Sequence, residues 1–517
     1  MIQGSLNARR RSAELDRLAE GEKVDVLVVG GGVTGAGIAL DAASRGLSVA
    51  LVEAHDLAFG TSRWSSKLVH GGLRYLAKGD LALAHESAVE RGVLMTRTAP
   101  HLTRPLANVL PLYGSTSRGQ RALVGAGLHA GDALRRAAGT PSSVLPRPRT
   151  ISAAEALALA PGMEPAGLRG ALLSFDGALT DDARLVISLA RTAARFGARI
   201  LTRVPAIEIR GDRVWVRDGI TGTEFELRAR QVVNAAGVWA GTLVPSVRLR
   251  PSRGSHLVLD AGTTGISEAA VLVPVPGELN RFVFLLPQPG DRVYLGLTDE
   301  PLDGDIPDVP RVPQSDVDFL LRVGSSVLRR TLSEEDVLGS YAGLRPLIEL
   351  PGGSARSADL SRKHAVLTSD DGTITVVGGK LTTYRRMAAD AVDAAVARSG
   401  LHAGRSRTDR LPLLGAAPRE RLSTVDAPAR LVAHYGTEAP RVAAIGELDP
   451  ELARPLFAGT EITAAEIVWA VRHEGALDVD DVLHRRTRLG LVAADAAAAE
   501  PLASELVDRA LNGLHTV

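Results

Sequence analysis

Short apolar runs alternate with helical patterning through the first part of the chain. Val24–Val29 is one such run; it feeds the glycine-rich GGGVTGAG, and Ile38–Ser44 continues as helix until Gly46. Ser48–Val52 is a second apolar run, closed by Glu53. Strand, glycine turn, helix and strand in this order make a complete βαβ half-unit. The chain then reads helical from Tyr75 to about Thr98, where Pro100, Pro105 and Pro111 are expected to break it up. Arg118–Ala138 reads as an Ala/Gly/Leu-rich helix and Gly139–Arg149, with three prolines, as a loop. Ser152 and Glu155 have capping-box spacing at the start of the next helix.

A β-rich block is expected from near Gly170. Within it Leu185–Gly197 has the pattern of an amphipathic helix, and Arg199–Val204, Val214–Arg217 and Gln231–Ala235 read as strands. Strand-like runs dominate from Arg250 to Thr298, and Val376–Val377 leads into Gly378-Gly379 and a long helix, Leu381–Ser399. Beyond about Gly404 the pattern is helical. The fold class is therefore α/β: a doubly wound nucleotide-binding domain, a mixed β-sheet domain over it and a helical C-terminal domain. The segments are 20–98, 170–245 and 336–400 for the first, 99–169 and 246–335 for the second, and 401–517 for the third.

Length supports this division, since 517 residues exceed one core. A hydrophobic share of 45% with 23% charge is ordinary for a globular protein, and 3% aromatics means mainly aliphatic cores. The net charge of +1 gives no case for a nucleic-acid partner. The absence of cysteine excludes disulfides, thiolate metal sites and thiol redox chemistry, so redox work needs a bound cofactor; no metal site is expected. No apolar run reaches the roughly 18 residues of a membrane-spanning helix. The N-terminal segment, with Arg9-Arg10-Arg11, lacks the apolar core of a signal peptide and reads as a solvated tail or short charged helix, a basic contact with anionic lipid being the minority reading.

Gly30, Gly32 and Gly35 occupy the G-x-G-x-x-G positions, with Gly31 and Thr34 between them. The first permits the strand-to-helix turn, the second lets backbone approach a pyrophosphate at the helix N-terminus, and the third lets helix and strand pack closely. Glu53 is placed to hold an adenosine ribose and would repel a 2′-phosphate. This unit alone does not separate NAD from FAD, but three later features favour FAD. Thr61, Ser62, Ser65 and Ser66 supply hydroxyl donors directly after the unit. VVNAAG, ending at Ala236-Gly237, is a second strand with a small-residue turn. Gly378-Gly379 opens a late helix whose dipole suits an anionic reduced ring.

GTSRWSSKLVHGGLRYL (60–76) adds candidate chemistry, because His70 and Arg74 are spaced to share a helix face. Oxidation of a secondary alcohol needs a hydride acceptor and a base; His70 is the first candidate for the base and His256 the second. Arg74, Arg345 and Lys380, each near glycine, are expected to hold an anion, with arginine able to do so bidentately. Tyr75 and Tyr384 are candidates for closing the site or for core packing. Asp181-Asp182 reads as a helix cap, Arg485-Arg486-Arg488 as an interdomain or surface contact, and Gly125-x-Gly127 as helix packing.

SSKLVHGGLRYL (65–76), VNAAGVWA (233–240), RGSHLVL (253–259), YAGLRPL (341–347), VVGGKLTTYR (376–385) and HRRTRLGL (484–491) together resemble the FAD-dependent glycerol-3-phosphate dehydrogenases, within the D-amino-acid-oxidase-like flavoproteins. The likeness runs from about Val24 to Leu491; the segment from about Leu106 to Pro146 departs from the family pattern. It implies non-covalent FAD, oxidation of sn-glycerol 3-phosphate to dihydroxyacetone phosphate, and peripheral association with a membrane whose quinone accepts the electrons. The family's active-site residues map onto His70, Arg74, Tyr75, His256, Arg345, Lys380 and Thr383. Lys67, Leu68, Val204, Gly379, Lys380, Leu381 and Thr382 join the residues expected to line the cofactor. A cytoplasmic location at the inner face of the membrane, and a homodimer, are further expectations. The competing readings are an oxidase passing electrons to oxygen, an FAD-dependent amine or amino-acid oxidase, and a catalytically silent flavin-binding scaffold; several convergent cations favour a phosphate dianion over a carboxylate.

Overall fold

The first sheet is organised around the apolar strand Val24–Val29, which is flanked in parallel by Glu224–Asn234 and Val49–Val52. Arg199–Leu201 extends it beyond Val49–Val52, and Ile374–Val377 and Ala365–Thr368 extend it on the other side. In this computed structural model, residues 3–72, 80–114, 118–278, 281–302, 304–349 and 363–515 are described, without the side chains of 118–124 and 514–515. Strands buried on both faces read as continuous apolar runs, and Val26, Leu27 and Val28 are all fully buried. One face is covered by the helices Val33–Ser44, Asp182–Arg195 and Tyr384–Ser399, through Ile38, Val186, Leu189 and Val392. The other is covered by the helix Ala8–Ala19 and an antiparallel layer of Ala206–Arg210, Arg213–Arg217 and the outer part of Glu224–Asn234.

The N-terminal segment is thus the short charged helix rather than a solvated tail, with one face buried and the other exposed. Leu15 and Leu18 are buried in the second layer. Arg10 bonds Glu14 at 2.8 Å, and Arg11 bonds Asp218 at 2.5 Å and the carbonyl of Thr202 at 2.6 Å. Two of the three arginines read as a lipid contact are therefore committed to the protein.

Among the described residues the second sheet has ten strands and is mixed. Thr103–Tyr113 lies between Leu168–Leu179, antiparallel, and Ala270–Pro274, parallel. Phe282–Gln288, Arg292–Gly296, Ser252–Asp260 and Val337–Arg345 continue it by antiparallel pairing. Three expectations change here. Pro105 and Pro111 do not break the chain but sit inside an eleven-residue strand. Ala270–Pro274 pairs only with Asn108 and Val109, so neither proline has to donate on that side. Leu168–Leu179 and Val337–Arg345, expected in the nucleotide-binding segments, are hydrogen-bonded into the second sheet.

One side of the second sheet packs on Leu320 and Val323 of the helix Gln314–Ser325. The other faces the first sheet's cofactor edge. Alternation assigns the sides: Val109, Ala171 and Leu173 join the buried cluster, while Asn108, Leu110, Leu172, Ser174 and Asp176 line a cavity. Gly125 and Gly127 do not serve helix packing, since a Cβ at either would meet nothing within 4 Å; Gly127 and Leu128 of the helix Arg118–Ala137 line the cavity.

The C-terminal helices Ala429–Tyr435, Ala439–Leu448, Ala464–His473 and Ala493–His515 carry cores of their own. Buried ion pairs dock them: Arg191 on Glu438 at 2.7 and 3.0 Å, Arg184 on Glu474, and Arg485 and Arg486 on Asp56. Arg485 and Arg486 of the arginine cluster thus make interdomain contacts, and Arg485 also pairs with Asp480 and Asp481 of its own unit.

Candidate active site

A cavity of about 1570 Å³ runs between the two sheets. It exceeds the roughly 300–1,000 Å³ of a drug-sized ligand pocket, as a long dinucleotide requires. At one end stand Gly30, Gly32 and Thr34. Gly30 has φ +109°, which only glycine adopts without strain, and a Cβ on Gly35 would lie 1.8 Å from the carbonyl oxygen of Gly30. The turn and the close helix–strand approach needed for a pyrophosphate are therefore both present. Glu53 lines the same end and accepts from the N–H of Gly31 at 2.6 Å and of His55 at 2.9 Å. Burial pushes its carboxyl up, against the pull of those two N–H groups.

The hydroxyl run is tied into the wall as well as facing the cavity. Thr61 donates to the carbonyl of Leu344 at 2.6 Å, and Ser62 accepts from the N–H of Val33 at 2.9 Å. Ser65 donates to Asp182 at 2.7 Å, and Ser66 Oγ lies 2.8 Å from His256 Nε2. All four line the cavity, with Leu68, Ala236, Gly237, Gly379, Lys380, Leu381 and Thr382. Gly31, Gly35, Lys67, Val204 and Thr383 stand behind this surface. Lys67 is buried on Asp182 at 2.8 Å and its ammonium is pushed down to about 8 by burial, with Asp182 opposing. Thr383 donates to the carbonyl of Lys380 at 3.3 Å, so its hydroxyl shapes the turn that carries the lysine. Tyr384 packs on Gly37 in the core of the first sheet rather than in the cavity.

The candidate chemistry shares this cavity. Arg345, His256, His70 and Lys380 arrive from four distant segments and line the same cavity. Arg345 ends the strand Val337–Arg345 and donates to Asp299 at 3.1 Å, Ser252 at 3.3 Å and the carbonyl of Thr298 at 3.2 Å. Lys380 lies 3.4 Å from Ser87. Arg74 and Tyr75 lie outside the described residues.

The two histidines differ in setting. His256 is buried, stacks on Tyr341 with centroids 4.6 Å apart, and is pushed down to about 3 by burial, with Lys67 and Arg345 adding to it. A histidine held neutral there is a poor proton acceptor. His70 is open to the cavity, its side chain 45% exposed, and its Nδ1 lies 3.4 Å from Asp176 Oδ2. Asp176 did not figure among the sequence candidates. Ser174 and Asp176 sit two apart in an apolar strand, a period-2 signal that puts both on the cavity face. Asn108 is a further lining residue that no motif pointed to, while Trp64 and Trp239 lie within GTSRWSSKLVHGGLRYL and VNAAGVWA but are not among the sequence candidates.

Fold and site together define an FAD-dependent oxidoreductase. A family model of that description matches residues 25–385, and one for the C-terminal domain of alpha-glycerophosphate oxidase matches 406–512. Glycerol-3-phosphate dehydrogenase 1 of Mycobacterium tuberculosis is 54% identical over 513 residues, covering 98% of this chain and 99% of that protein. The mitochondrial glycerol-3-phosphate dehydrogenase of Mus musculus is 34% identical, covering 97% and 72%. The structure of the glycerol-3-phosphate dehydrogenase from Bacillus halodurans complexed with FAD aligns with a TM-score of 0.73 at 27% identity, covering 99% of this chain and 97% of that one. The chain belongs to the FAD-dependent glycerol-3-phosphate dehydrogenase family, and FAD is its cofactor.

Proposed function

We propose that the protein oxidises sn-glycerol 3-phosphate to dihydroxyacetone phosphate and hands the electrons to a quinone. The observation that carries the substrate reading is the meeting of Arg345, Lys380 and His70 in the cavity that holds the FAD-type glycine turn. Two cations from distant segments suit a phosphate dianion, and the Arg345 guanidinium is held in place by Asp299 and the Thr298 carbonyl. Bound FAD supplies the two-electron acceptor. Arg345 and Lys380 orient the phosphate, which fixes where the carbinol carbon sits. His70 takes the hydroxyl proton, and His256, neutral and bonded to Ser66, shapes the wall. The 54% identical relative, named a glycerol-3-phosphate dehydrogenase, supports this reading.

Leu110, Leu172, Leu272 and Phe282 give the cavity an apolar side suited to a quinone ring. Among the described residues no helix is long and apolar enough to cross a membrane, so an acceptor held in lipid implies docking at the membrane surface. Oxygen is the second reading for the acceptor, favoured by the oxidase name of the model matching residues 406–512. Anaerobic addition of glycerol 3-phosphate should bleach the oxidised flavin, and a water-soluble quinone should restore colour far faster than air. Bleaching by amino acids instead would overturn the substrate, and faster reoxidation by air would overturn the acceptor.

A further inference from the structure

Asp176, one of the carboxylates lining the cavity, is set against the His70 imidazole. It lines the cavity from the strand Leu168–Leu179, and its side chain is held by several hydrogen bonds. Arg91 Nη1 donates to Oδ1 at 2.6 Å, and the N–H groups of Gly177 and Gly71 donate to the same oxygen at 3.0 and 3.2 Å. Oδ2 takes a longer share of the Gly71 N–H at 3.4 Å and faces His70 Nδ1 at the same distance, the outer edge of hydrogen-bonding range. A Cβ at Gly71 would lie 2.1 Å from the Arg91 guanidinium, so a side chain there would have to displace the arginine that holds Asp176. A buried arginine and a glycine are thus both committed to placing one carboxylate under one imidazole.

From this geometry we infer that Asp176 is a positioning residue for His70, holding it as the Nδ1–H tautomer with Nε2 left for the substrate hydroxyl. The inference rests on the reading of His70 as the base. In the reaction the carbinol C–H leaves with its two electrons to the flavin, the O–H proton passes to Nε2, and the carbon becomes a ketone. The alcohol is oxidised by two electrons and the flavin reduced by two. As the imidazole takes the proton it becomes a cation, and Asp176 is the anion facing it; a carboxylate so placed stabilises the charged form. Burial would push the Asp176 carboxyl up, but the Arg91 guanidinium and His70 hold it down at about 2, so it stays an anion across the working range. Among the described residues, Arg91 from the helix Leu81–Val93 pairs with Asp176 beside His70, and Arg345 and Lys380 line the same cavity.

The test is anaerobic single-turnover flavin reduction by glycerol 3-phosphate over a pH series, in the FAD-loaded wild type, Asp176→Asn, Asp176→Glu, His70→Asn and the double variant. Asp176→Asn should slow reduction by roughly 10²-fold, change substrate KM less than about threefold, and move the acidic limb of the profile down by on the order of one pH unit. The substrate phosphate ionises identically in all five proteins, so it cancels from that comparison. Asp176→Glu should recover part of the rate, and the double variant should be no slower than His70→Asn. If His70→Asn is slow while Asp176→Asn keeps the wild-type rate and limb, the positioning role is wrong and the base stands. If His70→Asn itself reduces at the wild-type rate, the base reading fails first. Loss of FAD or of cooperative melting in Asp176→Asn without rescue in Asp176→Glu would make the residue structural, and would overturn the inference.

Discussion

Arg486 closes a two-point ion pair on Asp56, Nη1 to Oδ2 at 2.8 Å and Nη2 to Oδ1 at 2.9 Å, across 430 positions of sequence. Arg485 adds a third bond to the same carboxylate at 2.6 Å. Asp56 lies three residues after Glu53, and its neighbours His55 and Phe59 stack on each other at 3.9 Å and line the nucleotide end of the cavity. The C-terminal helical unit therefore grips the loop that shapes the cofactor site.

Asp56→Asn should weaken that grip. Burial would push the Asp56 carboxyl up, yet Arg486 and Arg485 hold it down at about 2, so the pair is intact at neutral pH. Removing one partner of a buried pair typically costs about 3–5 kcal/mol. A lower urea midpoint and faster release of fluorescent free FAD are expected; a wild-type value for both would show that the interdomain pair does not support the site.

Arg345→Ala should separate substrate binding from cofactor binding. Losing a charged hydrogen bond of roughly 1.5–3 kcal/mol predicts a 10- to 100-fold rise in the KM for glycerol 3-phosphate. FAD retention should stay near wild type, because the contacts of Arg345 to Asp299, Ser252 and Thr298 are away from the glycine turn. Equal losses of substrate and FAD would point to damage of the strand instead.

Gly35→Ala should yield protein with little bound flavin. The added Cβ would sit 1.8 Å from the Gly30 carbonyl oxygen, and backbone has to move to relieve it. The ratio of flavin to protein absorbance after purification reads this directly, and an unchanged ratio would contradict the close packing.

Acid should destabilise the fold through buried histidine. His101 is buried, neither ring nitrogen has a hydrogen-bond partner among the described residues, and burial, reinforced by Arg184, pushes it down to about 3. In the unfolded chain the imidazole binds a proton below about 6.5. Between those values the unfolded state holds more protons, so stability rises with pH through that window and is lost on acidification. Melting temperature should fall from pH 7 to pH 5, and His101→Leu should flatten that fall while leaving pH 7 nearly unchanged. An equally steep fall in the variant would assign the effect to other groups.

Much of the nucleotide end is legible from residue order, because its parts are local. A strand, three glycines, a helix and an acid lie within thirty residues, and backbone sterics fix what each glycine is for. Arg345 and Lys380 were legible as cations beside glycine, in motifs shared with a family. The docking of the N-terminal helix was not, since the partners of Arg11, at Asp218 and Thr202, lie some two hundred positions away.

The sequence by itself determined the βαβ unit through short-range spacing, and motifs spread along the chain pointed to FAD and to the family it resembles. Only the tertiary structure decided which strands share a sheet, why Pro105 and Pro111 are tolerated within one, and that Asp176 stands under His70. Those outcomes depend on long-range pairing: whether a proline is harmful turns on the neighbouring strand's reach, and whether an aspartate orients a histidine turns on which face of a distant strand it occupies.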